Sequence, residues 1–137
     1  MIISLTLPIA PVVNKGWAPV RTMNGARLVK RTAAADWAAE ARWLVLNQRA
    51  GTQIEGPFAA SIIVPETRAD IDARIKSTLD ACQHGGAVIN DKHCRRLLVE
   101  IDPSLPAGLM RVELTPLPPT ARAPRRTKGT VRKEANP

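Results

Sequence analysis

The chain opens with apolar residues at every second position. In "IISLTLP" (residues 2–8), β-branched side chains alternate with polar ones and a proline closes the run, which predicts a strand. Residues 10–30 hold Pro, Gly, an Asn-Gly pair and several basic side chains with little periodicity. They predict a long loop with turns, of a length that in a compact domain is commonly functional or mobile. Residues 31–51 change period. Trp37, Ala41, Leu44 and Gln48 recur at helical spacing with Ala33, Ala34 and Val45 beside them, in an alanine-rich segment that Gly51 can stop. "FAASIIV" between Pro57 and Pro65 predicts a second strand.

A second helix is predicted over residues 70–86. Ile71, Ile75, Leu79 and Cys82 form one buried stripe, and Gly85 and Gly86 end it. After the connector "AVINDKHC", residues 95–102 and 108–117 predict two strands joined by a Pro/Gly turn as a hairpin. From residue 118 onward no buried face is patterned, and the composition is that of a disordered basic tail. The order β, loop, α, β, α, β, β predicts an α+β fold. It is a small single domain over residues 1–117, with a mixed β-sheet and two main helices packed on it, and a tail over 118–137.

Composition agrees with one domain. The chain has 137 residues and is 45% hydrophobic, enough for a core, but only 3% aromatic, so aliphatic residues and alanine must fill it. The formal net charge is +8. That sign favours polyanionic partners, nucleic acid above all. A membrane partner is not expected, because no apolar run approaches the roughly 20 residues of a spanning helix and the N-terminus lacks the basic flank of a signal peptide. Two cysteines make no disulfide framework, and a cytoplasmic location is expected.

Acids in this basic chain are the candidate chemistry. In "RADIDARIKSTLD", Asp70 and Asp72 stand at the mouth of the second helix, Lys76 follows one turn later, and Asp91 lies in the connector. Each has an ordinary structural job available: Asp70 as N-cap, Asp72 in the first turn against the helix dipole, Asp72 with Lys76 as a surface pair, Asp91 in a turn. The same geometry permits another reading. If the connector returns along the helix, the three carboxylates converge on one spot and offer oxygen ligands to a hard cation such as Mg²⁺, whose role would be phosphodiester chemistry. Lys76 would place positive charge at the scissile phosphate, and Arg68, Arg74, Lys92, Arg95 and Arg96 would attract a nucleic-acid backbone.

The stretch "RADIDARIKSTLDAC…VINDKHCRRLLVEI" resembles the central signature of the RusA family of Holliday junction resolvases, Asp-x-Asp-Asn-x-x-Lys on a helix followed by an Asp-Asp or Asn-Asp pair before a strand. "LTLPIAPVVNKGW" resembles the family's first strand, proline run and Asn-containing loop, so the likeness spans residues 1–117. It implies a RusA-like fold and a homodimer that nicks four-way junction DNA symmetrically in recombination and repair. The cofactor implied is Mg²⁺, with Mn²⁺ as a substitute and no small-molecule cofactor. Carried over by position, Asp70, Asp72 and Asp91 are the metal-binding acids and Lys76 the catalytic lysine. Ala73 stands where the family often has Asn, and Asn90 where it often has Asp. Independently of the family, a two-fold symmetric substrate suits a two-fold symmetric dimer. Other readings stay open: a non-catalytic nucleic-acid-binding module, or the same chemistry on another branched DNA or on RNA.

In the loop, Asn14, Lys15, Trp17 and Arg21 are candidate DNA contacts, with Trp17 either stacking on an unpaired base or anchoring the loop. Trp37 and Trp43 read as core or interface residues, Asp80 as a helix partner of Lys76, and Asp36, Glu40 and Arg42 as a solvated face. Cys82, His84, His93 and Cys94 do not have zinc-site spacing.

Overall fold

Alternation on three strands builds the core. In the computed structural model, which describes residues 1–12, 17–22, 25–30 and 32–119, strand β1 (Ile3–Pro8) buries Ile3, Leu5 and Leu7. Strand β4 (Phe58–Val64) buries Phe58, Ala60, Ile62 and Val64, and strand β6 (Leu109–Pro116) buries Met110, Val112 and Leu114. With strand β5 (Cys94–Ile101) they form one sheet in the order β1-β6-β4-β5. β6 runs antiparallel to both β1 and β4, while β5 runs parallel to β4. The apolar positions thus share one sheet face, and the intervening ones, such as Ser4, Thr6, Arg111 and Glu113, turn away from it.

The two helices complete the core. Helix α1 (Thr32–Gln48) contributes buried Ala34, Ala41 and Val45, and helix α2 (Ile75–His84) contributes Thr78, Ala81 and Cys82. Trp37 donates its indole N–H to the Pro8 carbonyl at 2.9 Å, tying α1 to the end of β1. Gln48, at the end of α1, accepts from the Thr6 amide at 2.7 Å and donates to the Thr6 carbonyl at 2.9 Å. Its side chain therefore occupies the outer edge of β1 as a neighbouring strand would. Gly85, just past α2, allows the helices to touch: a Cβ there would lie 2.5 Å from Val45 Cβ.

The α+β class, the mixed sheet and the two helices agree with expectation. Four local expectations are corrected. First, residues 10–30 are not all loop: strands β2 (Trp17–Thr22) and β3 (Gly25–Lys30) pair antiparallel as a separate ribbon, with Pro19 opposite Leu28. A two-stranded ribbon tolerates proline because each strand keeps a free edge. Second, α2 starts at Ile75, not at residue 70. Third, Ile71 is therefore exposed rather than part of the buried stripe. Fourth, β5 and β6 are not hairpin neighbours, since β4 lies between them. A parallel partner needs a crossover, and α2 supplies one between β4 and β5. The alternating β6, buried on one face, is drawn to the sheet interior. The predicted tail, residues 118–137, lies outside the described residues apart from its first two positions.

Candidate functional site

The chain approaches α2 through two consecutive turns. Ala73 N donates to Asp70 O at 3.0 Å and Ile75 N to Asp72 O at 3.4 Å, before the helical bond from Thr78 N to Arg74 O at 3.2 Å. The Thr78 hydroxyl, buried, donates to the same Arg74 carbonyl at 2.8 Å. The N-cap position is Arg74, with no side-chain capping bond, so Asp70 does not cap the helix. Asp70 and Asp72 are both exposed on the turn. The ion pairs among the described residues are Lys76–Asp80, Lys76–Asp91 and Asp102–Arg111, so neither of these two acids is engaged in one.

Lys76 is the meeting point. Its ammonium lies 2.8 Å from Asp80 Oδ1, the helix pair expected from the sequence, and 3.2 Å from Asp91 Oδ2. Hydrogen bonds to Asp80 and then to Asp91 raise the lysine above its ordinary pKa and favour the charged form. Asp91 begins a 3₁₀ turn (Asp91–His93) that returns the connector to the helix. Asn90 caps this turn by accepting from Lys92 N at 2.9 Å, and Gln83 of α2 accepts from Asp91 N at 3.0 Å. Gln83 was not singled out from sequence, although Lys76, Asp80 and Gln83 fall at the i, i+4, i+7 spacing of one helix face.

The structure thus brings Lys76 and Asp91 together. It places Asp70 and Asp72 on the turn leading into the same helix. Among the described residues, no three His, Cys, Asp or Glu side chains form a group that could hold a metal ion. The donors are nonetheless of the type a hard cation takes. Asp70 and Asp72 present exposed carboxylate oxygens from one turn, and Mg²⁺ is commonly held by one or two carboxylates, with water and substrate phosphate filling the remaining positions.

The expected basic contacts divide. Arg68 is exposed and Arg74 half-buried, and both line a surface cavity of about 470 Å³ beside the Asp70 turn. Arg74 faces inward, donating to the Ala10 carbonyl at 2.7 Å and to Thr67 Oγ1 at 3.3 Å, and burial lowers its pKa. Two of its donors therefore join the chain's own segments. Lys92, Arg95 and Arg96 are exposed on the 3₁₀ turn and the start of β5, with Arg95 donating to the Lys92 carbonyl. Trp17 opens β2 and Arg21 lies within it, whereas Asn14 and Lys15 fall outside the described residues. Trp43 is 63% exposed, so it is not a core residue. Cys82 is buried and its thiol is pushed up to about 12 by burial, which leaves it inert at neutral pH.

No helix among the described residues is long and apolar enough to cross a membrane. No family model matches this sequence, and no curated protein matches it.

Proposed function

We propose that the protein is a Mg²⁺-dependent, structure-specific DNA endonuclease of RusA type, a cytoplasmic homodimer that cuts four-way junctions, with Mn²⁺ able to replace Mg²⁺. One observation carries the reading: Lys76 Nζ stands 3.2 Å from Asp91 Oδ2, across 15 residues of sequence, on the helix that follows the exposed Asp70–Asp72 turn. A bound Mg²⁺ supplies Lewis acidity toward the phosphate and a more acidic water. Asp70 and Asp72 are the residues that would hold it, and Asp91, which Lys76 draws to the same helix, would be the third acid. Lys76 is kept cationic by its two carboxylate partners, which suits stabilising negative charge on phosphate oxygens rather than removing a proton. Arg68, Lys92 and Arg95 present positive charge around these acids for the DNA backbone.

The rival is a nucleic-acid-binding module without catalysis. It is favoured by the sharing of Lys76 between Asp80 and Asp91, which would serve as an ordinary surface ion-pair network. Incubating a labelled four-way junction with the protein, with and without Mg²⁺, separates the two: nicked strands support the nuclease, a mobility shift alone supports the module. Asp70→Asn should abolish nicking while leaving junction binding largely intact. Cutting by that variant at the parent rate overturns the assignment.

A further inference from the structure

The two edges of the sheet are finished differently. At β1, the Gln48 amide satisfies both backbone groups of Thr6 and blocks further pairing there. At the other margin, β5 pairs only with β4 among the described residues. Asp102 N donates to Val64 O, so by strand alternation Leu97, Val99 and Ile101 direct their N–H and C=O groups outward. The strand contains no proline, and beyond an irregularity at Arg95 its pairing with β4 is regular from Arg96 to Ile101. Apolar side chains project half-exposed from both of its faces: Leu97 at 41% and Ile101 at 43% on the helix side, Leu98 at 50% on the other. Natural edge strands are normally blunted by proline, bulges or inward-pointing charge, and a long apolar one left open is a template for another strand.

We infer that β5 pairs antiparallel with β5 of a second copy of this chain, with Leu98 on the two-fold axis. The charge pattern selects both the partner and the register. With Leu98 opposite Leu98, Leu97 meets the second copy's Val99 and Arg96 meets its Glu100, each twice. Arg96, Leu98 and Glu100 share the sheet face opposite the helices. In this register they fall at non-hydrogen-bonded positions, where opposed side chains approach most closely. The outward-facing Leu97 and Val99 fall at the hydrogen-bonded positions. The result is one continuous eight-stranded sheet. Arg96 then serves the contact between copies, not the DNA. This pairing rests on the strand alone and needs nothing of the nuclease reading.

The test is sedimentation of the full chain without DNA. The parent should be a dimer. Arg96→Glu and Glu100→Arg, each placing like charges opposite one another twice, should each weaken association by roughly tenfold or more. Mixing the two variants in equal amounts should restore the parental mass, because every acid then faces a base; the double exchange within one chain should do the same. Recovery on mixing also shows that both variants fold. A monomeric parent, single variants that dimerise like the parent, or a mixture that stays monomeric would overturn the inference.

Discussion

The Lys76 ammonium bridges two carboxylates, Asp80 at 2.8 Å and Asp91 at 3.2 Å, and so joins the surface of α2 to the connector that follows it. Lys76 is 66% exposed, so this bridge contributes little to stability, on the order of 0.2–1 kcal/mol. Lys76→Met should therefore leave the unfolding midpoint almost unchanged. If the proposed chemistry holds, the same variant should slow junction nicking by about a hundredfold or more. Urea titration and single-turnover cleavage of the same preparation check the two halves. A large loss of stability with unaltered cutting would make the lysine structural.

Gln48→Ala removes both hydrogen bonds to Thr6 and should cost about 1–2 kcal/mol in urea unfolding. The Thr6 amide should exchange with solvent faster in that variant, as read by hydrogen exchange, because its only partner in the described structure is the glutamine.

Gly85→Ala tests the contact between the helices. The added methyl group would lie 2.5 Å from Val45 Cβ and 2.9 Å from the Arg42 carbonyl, so α1 and α2 must separate locally. A loss of about 1–3 kcal/mol is expected. Combining it with Val45→Ala should cost less than the sum of the two single changes, since the smaller side chain vacates the space.

Burial holds the Cys82 thiol neutral up to about 12, whereas an unfolded thiol ionises near 9.0. A raised thiol pKa favours the folded state fully below the unfolded value, and that contribution is lost as pH rises from 9.0 toward 12. Stability of the parent should fall over this alkaline range, and less steeply in Cys82→Ala. At pH 8, a thiol reagent should label the half-buried Cys94 well before Cys82.

Much of the architecture was readable because period and punctuation agreed. Pro57 and Pro65 bracket β4 within one residue of its ends, and the alanine-rich helix runs close to its expected limits. Residues 17–30 were harder. Asn24-Gly25 is a hairpin signal, but Pro19 and weak alternation hid the strands beside it. The start of α2 was misplaced because an aspartate before an apolar stripe looks the same whether it caps a helix or opens a preceding turn. The neighbours of β5 were not legible at all, since pairing depends on where a crossover sets a strand down. At the candidate site, the Lys76–Asp80 pair follows from spacing on one helix. The approach of Asp91 depends on the path of the connector, held by Gln83 and Asn90, and no local pattern specifies that path.

If β5 pairs as inferred, the glutamine on β1 also limits how large the assembly can become. A molecule adhesive on both flanks could add copies end over end into a ribbon or fibre. With Thr6 on the β1 flank already bonded from within, joining through β5 would be self-terminating: the second member would offer only its own occupied edge, and growth would stop at two.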